Sequence, residues 1–182
     1  MHRNQTWDPE MWREVYGRRW EALADSGLIV LPRKLQCEAF HAVQLQLLKL
    51  LHEGRQQVKL LLNCDDGDDS CFRLEGLFAR FALSHVHVTE RAYSAGLIAA
   101  IAASHRTCEP GALFLHHGDD LRCPEEDDAM LSSYMARHTT MPQEFWLERC
   151  RLKAPFEFDA ERALEYGVVQ EIVEDVPFSV GY

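Results

Sequence analysis

The sequence lacks several features that would assign it to a common class of protein. None of its six cysteines forms a CxxC pair, which argues against a zinc ribbon. No unbroken apolar run reaches membrane-spanning length, and the N-terminus MHRNQTWDPEMWRE contains no hydrophobic signal-peptide core. We therefore expect a cytoplasmic protein with reduced cysteines and no contact with a membrane.

Positive charge and phosphate-binding loops are lacking as well. The formal net charge is −10, which disfavours binding to a nucleic-acid backbone. No GxGxxG follows the first apolar strand, and the chain contains no GK[ST]. We accordingly expect no cofactor and no nucleic-acid partner.

The nine histidines raise the question of a metal site. His85 and His87 are two residues apart on a strand-like stretch, but no acid or cysteine lies at ligand spacing. The acidic loop NCDDGDDS does not fit an EF-hand, because aligning Gly67 with the invariant glycine puts Leu62 first and Arg73 last. We expect no metal site.

Apolar runs and helical periodicities alternate along the 182 residues. Apolar runs predict strands at residues 27–32, 58–63, 85–90, 111–117 and 168–174. Helical spacing predicts helices at residues 37–54, 71–83, 92–104, 125–138, 142–152 and 159–167. This alternation indicates an α/β fold with a mainly parallel sheet, in which residues 1–26 form an N-terminal arm and residues 27–182 the domain.

The stretch AYSAGLIAAIAAS, residues 92–104, places Ser94 between a strand and a helix of small residues. In one interpretation Ser94 only caps the helix. In the other it is a nucleophile at a strand-to-helix elbow, where the N–H of Ala95 can donate to a developing oxyanion. The local sequence leaves both interpretations open.

Two further residues could complete such a site. His116 ends a predicted strand at the same edge of the sheet, where it can serve as the general base, although a strand-end histidine is often only a surface residue. Gly67 follows the second strand, where its N–H could be a second oxyanion donor, although the acidic turn around it could simply be solvated.

These pieces, in this order, resemble the proteolytic subunit of the Clp protease family. NCDDGDD stands where that family has Asn-Ser-Pro-Gly-Gly, AYSAG where it has Ala-Ser-Met-Gly, and LFLHH where it has Met-Ile-His. HTTMP resembles its His-Thr-Gly-Gln-Pro, and DAERALEYGVVQEIVE resembles its terminal segment. The resemblance covers about residues 27 to 174, and it implies a crotonase/ClpP-like βαβ superhelix.

The resemblance also implies a function. It makes Ser94 the nucleophile, His116 the general base, and the N–H groups of Gly67 and Ala95 the oxyanion hole of a serine endopeptidase. It implies a ring-shaped homo-oligomer, with a heptamer as the candidate ring size. It further implies an AAA+ unfoldase ATPase that supplies unfolded polypeptide substrates.

The sequence departs from the family at the orienting acid of the triad. Lys153 or Pro155 occupies that place, depending on where a short insertion falls. Glu157 and Asp159 are nearby acids that could substitute, although Asp159 fits better as a helix cap. Loss of the acid leaves residual turnover, at a cost of about 10⁴ in kcat in a characterised triad.

Two other departures concern the loops around the site. Asp65 and Asp66 replace a Pro-Gly pair before Gly67, which could change the turn that forms the oxyanion hole. The stretch after His116 is about a dozen residues shorter than in the family, in the region that pairs with the peptide and joins two rings. Strand addition by substrate and stacking of rings are therefore expected to be weakened.

Acidic residues crowd the predicted site. We expect them to favour the protonated form of His116, raise its pKa and shift activity toward alkaline pH. The same charges should favour basic peptides over acidic ones. The residues concerned are Asp65, Asp66, Asp68, Asp69, Asp119 and Asp120.

Three functions remain open at this point. The first is an active Clp-type serine peptidase. The second is a catalytically impaired structural or regulatory subunit, which would explain the missing acid and the altered glycine turn. The third is an enzyme acting on acyl-CoA thioesters, which does not require the serine–histidine pair and would need a basic cleft for the nucleotide.

Overall fold

The computed structural model describes residues 27–31, 33–117, 124–152 and 154–174. The predicted N-terminal arm, residues 1–26, lies outside the described residues. None of the helices in the described ranges is long and apolar enough to cross a membrane.

Strands and helices alternate through the described chain. The strands are β1 Leu28–Val30, β2 Lys34–Leu35, β3 Gln57–Cys64, β4 Asp66–Gly67, β5 Leu83–Tyr93, β6 His105–Cys108, β7 Leu113–His116, β8 Phe156–Asp159 and β9 Glu171–Ile172. The helices are α1 Cys37–His52, α2 Arg73–Phe78, α3 Ala95–Ile101, α4 Pro124–His138, α5 Gln143–Arg151 and α6 Ala160–Glu165, and a 3₁₀ turn spans Asp69–Phe72.

The main sheet is parallel except at one pair of strands. Its order is β1-β3-β5-β6-β9, while β7 pairs with β5 and antiparallel β8 pairs with β7. The long strand β5 pairs with β6 through its first half and with β7 through its last three residues. A second, two-stranded sheet joins β2 and β4. The carboxyl ends of β3, β5 and β7 thus meet at one edge.

The helices pack apolar faces into the core beside the sheet. The helical spacing of α1 buries Phe40, Val43, Leu47 and Leu50 on one face. All seven residues of α3 are buried, which is compatible with its Ala- and Gly-rich sequence because small side chains allow close approach. Burial of such apolar side chains is the main driving force for the fold.

The structure confirms the α/β class, the mainly parallel sheet and, within the described residues, the predicted strands and helices, with shifted ends. It adds β2, β4, β6 and β8, which the sequence analysis missed. Strands β2 and β4 are only two residues long. Strands β6 and β8 are four residues long, and polar or charged residues make up half of each or more, so no apolar run marks them. The helix predicted over 71–83 is shorter than expected, since a 3₁₀ turn precedes α2 and α2 ends at Phe78.

Candidate active site

Ser94 lies at a strained elbow between β5 and α3. Its φ and ψ are 52° and −116°, and among the described residues it alone combines a side chain with a positive φ. Such a conformation costs about 1–3 kcal/mol and persists where the surroundings enforce it. Here the Ser94 N–H donates to Leu115 O at 3.0 Å, and Ser94 O accepts from Leu97 N at 3.0 Å.

The Ser94 hydroxyl does not cap the helix that follows it. Ser94 is the N-cap residue of α3, yet its side chain makes no capping hydrogen bond. The structure therefore does not support the capping interpretation. A half-buried hydroxyl on a strained elbow is the arrangement expected of a nucleophile.

Gly67 packs directly against the residue after Ser94. A Cβ at Gly67 would lie 2.5 Å from Ala95 Cβ and 2.6 Å from Leu35 O, so no larger residue fits without displacement. Asp65 and Asp66 do not have positive φ values, so the two aspartates do not strain the turn in the way the sequence suggested. Gly67 and Ala95, whose N–H groups are the two predicted oxyanion donors, therefore lie next to each other.

The N–H of Gly67 already has a partner. It donates a hydrogen bond of 2.8 Å to Oδ1 of Asp66. One of the two N–H groups predicted to form the oxyanion hole is therefore already hydrogen-bonded to a carboxylate oxygen. The sequence marked Asp66 as a departure from glycine but did not predict this contact.

Four of the predicted site residues line one cavity of about 350 Å³. They are Gly67, Ser94, Ala95 and His116. Among the described residues that line the cavity there are four aspartates and no lysine or arginine. An acidic cavity is a poor site for the phosphates of a nucleotide, which disfavours the acyl-CoA interpretation.

His116, at the end of β7, is buried in the cavity wall with only 2% of its surface exposed. Its Nε2 lies 3.3 Å from Sγ of Cys150, a residue of α5. The ring of Trp146, one turn earlier on α5, lies 5.3 Å from the imidazole in an edge-on arrangement. Within the described part of the chain, no hydrogen bond joins His116 to Ser94 or to an acid.

The predicted rise in the pKa of His116 is wrong. Burial, followed by the positive charges of His117 and Arg149, lowers the pKa of His116 to about 4. The nearby carboxylates do not raise the pKa of His116 as expected, because they interact with other groups. Asp65 forms ion pairs with Arg33 at 2.8 Å and Arg91 at 3.4 Å.

Two of the remaining aspartates are held by backbone groups rather than by the histidine. Asp66 accepts from Gly67, and Asp68 Oδ1 accepts from Ser70 N at 2.9 Å. Asp119 and Asp120 lie outside the described residues. His116 is thus neutral at physiological pH, the form that a general base requires.

Comparison with known proteins identifies the fold. No family model and no curated protein sequence matches the chain. Solved structures do match. ClpP1 from Listeria monocytogenes superposes with a TM-score of 0.77 at 19% identity, over 86% of this chain and 96% of that one.

A mutant of the same Listeria monocytogenes protein gives a TM-score of 0.77 at 19% identity over 85% of this chain and 95% of that chain. A peptidase from Plasmodium falciparum gives 0.74 at 14% identity over 85% of this chain and 99% of that chain. The chain has the ClpP fold. At these identities the likeness shows the fold alone.

The ClpP fold does not bring either candidate acid to His116. Glu157 pairs with Leu115 across β7 and β8, so its side chain lies on the face opposite to that of His116. There it accepts a hydrogen bond of 2.5 Å from the hydroxyl of Tyr93. Asp159 accepts from Arg162 N at 3.0 Å and caps α6.

Neither residue at the predicted position of the triad acid, Lys153 or Pro155, has a carboxylate. Pro155 directly precedes Phe156, which pairs with His116 across the two strands, and Lys153 lies outside the described residues. The imidazole is contacted instead by Cys150 and Trp146 from α5. The sequence analysis missed both, although their spacing of four residues on a predicted helix places them on one face.

The described residues do not form a candidate metal centre at the site. Among the described residues, no group of three or more histidine, cysteine or acidic side chains is arranged to hold a metal ion. His85 and His87, the pair considered for that role, lie within 2.9 Å and 2.8 Å of the same hydroxyl, Oγ1 of Thr107.

Proposed function

We propose that the protein is a serine peptidase of the Clp type, with Ser94 as nucleophile and His116 as general base. The observation that carries the proposal is the strained, uncapped Ser94 in the wall of a cavity shared with His116 and Gly67. Strain of this kind is characteristic of functional sites, because the fold must maintain it against its cost.

The proposed reaction follows from these positions. His116 takes the proton of the Ser94 hydroxyl while Oγ attacks the peptide carbonyl carbon. The carbonyl electron pair moves to oxygen, where the N–H groups of Gly67 and Ala95 stabilise the negative charge. His116 then passes the proton to the departing amine as the C–N bond breaks, and water releases the acyl group by the same route in reverse.

Turnover is expected to be slow for two structural reasons. No described acid orients His116, and loss of that acid costs about 10⁴ in kcat in a characterised triad. Asp66 also occupies the Gly67 donor, so it must leave before a substrate oxygen binds there. A hydrogen bond between the nucleophile and its general base often forms only when substrate is bound, so its absence here is compatible with general base catalysis.

We further propose that the protein forms a ring-shaped homo-oligomer and degrades unfolded polypeptides delivered by an AAA+ unfoldase. The ClpP fold over most of the chain supports this proposal. Exposed apolar side chains are available for subunit contacts, including Leu45 on α1 and Leu152 after α5. Native mass spectrometry of the full chain would measure the ring size.

The activity is tested by hydrolysis of an unfolded polypeptide, such as reduced and alkylated casein, by the assembled protein. We expect slow cleavage that Ser94→Ala abolishes and that Ser133→Ala, a half-buried serine on α4, retains. Cleavage that survives in Ser94→Ala would show that another residue or a contaminant is responsible.

A catalytically impaired subunit is the second candidate function. It is favoured by the contacts that occupy Gly67 and His116 in place of substrate and serine. A folded, assembled protein without hydrolysis, whose addition alters the activity of a catalytic Clp subunit, would support this alternative.

A further inference from the structure

We propose that Cys150 is the residue that positions His116, in place of an orienting acid, which none of the described residues supplies. Its sulfur holds the imidazole in the tautomer with the proton on Nε2, which leaves Nδ1 as the base for Ser94. The inference rests on the proposed function for its catalytic consequence, but the tautomer itself can be measured independently.

The contact between the two residues is buried and direct. Cys150 is fully buried and His116 nearly so, and 3.3 Å separates Sγ from Nε2. Sulfur hydrogen bonds are longer than those of oxygen, so this separation lies within their range. Trp146, on the same face of α5, packs edge-on against the ring and restricts its rotation. The imidazole is therefore oriented by two residues of a single helix.

Aromatic residues of β8 make the surroundings of His116 apolar, which favours a thiol over a carboxylate at position 150. Phe156 pairs with His116 across β7 and β8, and Phe158 stacks on Phe114 at 5.6 Å on the same face. A carboxylate buried among these rings would lose its hydration, which is costly without several hydrogen-bond donors. A neutral thiol carries no such cost and still offers lone pairs to an N–H.

The direction of the hydrogen bond determines which nitrogen can act as base. A neutral imidazole carries one proton. If the thiol donated to Nε2, the proton would sit on Nδ1, and this nitrogen could not accept the proton of Ser94. If Sγ accepts from Nε2–H, Nδ1 keeps its lone pair, and it has no hydrogen-bond partner among the described residues.

Proton transfer then proceeds without ionisation of Cys150. The Ser94 proton moves to Nδ1, the ring becomes an imidazolium, and Nε2–H remains bonded to the sulfur. A neutral sulfur stabilises the new charge less than a carboxylate does. The thiol thus orients the imidazole as an acid would, but it stabilises the positive charge of the imidazolium only weakly.

The first test compares rates of Ser94 labelling by a fluorophosphonate probe in three variants of the assembled protein. Losing one hydrogen bond should make Cys150→Ala about three- to tenfold slower than the native protein. Cys150→Ser should recover most of the rate, because a hydroxyl can accept the same N–H. The matched control is Cys108→Ala, a buried cysteine of β6, which should label at the native rate.

Cys150→Asp provides a readout that a purely structural role would not change. A carboxylate beside Nε2 should raise the pKa of His116, so labelling should acquire an acidic limb between about pH 5 and 7 that the native protein lacks. If this variant does not fold, the comparison of Cys150→Ala with Cys150→Ser decides the question. Native-like rates in both Cys150→Ala and Cys108→Ala would overturn the positioning role.

The second test measures the tautomer directly, by ¹⁵N NMR of the imidazole nitrogens in Ser94→Ala, with His116→Gln used for assignment. We expect a protonated Nε2 and an unprotonated Nδ1 in His116, and loss of this preference in Cys150→Ala. A proton on Nδ1 would contradict the inference. The expected tautomer without labelling in any variant would support the inference about Cys150 while refuting the peptidase itself.

Discussion

Oδ1 of Asp66 accepts a hydrogen bond from the backbone N–H of Gly67 at 2.8 Å. The same N–H is one of the two donors proposed for the oxyanion hole, and Gly67 packs so tightly against Ala95 that a Cβ does not fit. An internal carboxylate would therefore compete with the negatively charged oxygen of the proposed reaction. Asp66 is itself exposed, so it can turn toward solvent.

Removal of this competitor should activate the protein. We expect Asp66→Ala to increase the rate of fluorophosphonate labelling by about tenfold, since hydrogen bonds to charged acceptors are worth about 1.5–3 kcal/mol. The substitution is compatible with the turn, because Asp66 does not have a positive φ. The measurement is the second-order rate constant of labelling at pH 8.

The control for this variant is Asp127→Ala. Asp127 lines the same cavity from α4, so its removal changes the charge around the probe without freeing the Gly67 donor. An equal acceleration in both variants would attribute the effect to charge. An unchanged or slower rate in Asp66→Ala would show that Asp66 does not block the hole.

The pH dependence of labelling follows from the buried position of His116. Its pKa is lowered to about 4, first by burial, so the neutral base is almost fully populated from pH 6 upward. We therefore expect the labelling rate to be flat between pH 6 and 9, with Ser94→Ala as the background. A rate that climbs about tenfold per pH unit through neutrality would instead require a protonated His116 at pH 7.

Lowering the pH should reduce the stability of the folded protein, because His116 must be protonated when the chain unfolds. A histidine that stays neutral in the folded state but has its ordinary pKa of 6.5 when unfolded lowers the free energy of unfolding as pH falls from 6.5 toward 4. For His116 the loss is about 2 kcal/mol at pH 5. His85, whose pKa is also lowered to about 4, mainly by burial, acts in the same direction.

Urea unfolding at pH 7 and pH 5 measures this loss. We expect His116→Asn to have a smaller difference in stability between the two pH values than the native protein has. His52→Asn, at an exposed position near the end of α1, should retain the native difference. An unchanged difference in His116→Asn would contradict the burial of a neutral imidazole.

The charge of the cavity predicts a substrate preference. Asp66, Asp68 and Asp127 line it, and within the described ranges none of the three forms an ion pair. A peptide with lysine next to the cleaved bond should be hydrolysed about tenfold faster than its glutamate counterpart at low ionic strength. Salt and Asp127→Asn should both reduce this ratio, and a ratio that favours glutamate would contradict the proposal.

The elements that set the fold were predictable because each carries a local signal. Helix α1 has a periodic apolar face and is followed by Gly54, whose φ is +75°, and Asp159 caps the first turn of α6. The elbow at Ser94 was predictable from its place between a strand and a run of small residues. Strand β8 was not, because its pairing with β7 depends on residues about 40 positions away.

The electrostatics of the site depended on contacts that spacing does not encode. Counting nearby aspartates predicted a raised pKa for His116, whereas the structure buries the imidazole and binds Asp65 to two arginines. The contact of Cys150 with His116 likewise depends on how α5 packs across the end of β7. The sequence shows which ionisable residues are close to each other along the chain, but it does not show which of them the fold buries away from water.

Covalent labelling of Ser94 tests the proposed activity most directly. The full-length protein, first shown to be folded and assembled, is treated with a fluorophosphonate at pH 8, and the modified residue is located by peptide mass spectrometry. We predict a single adduct on Ser94 that is absent from Ser94→Ala and retained in Ser133→Ala. No adduct on Ser94 in the native protein or in Asp66→Ala would contradict an activated nucleophile and favour the impaired subunit.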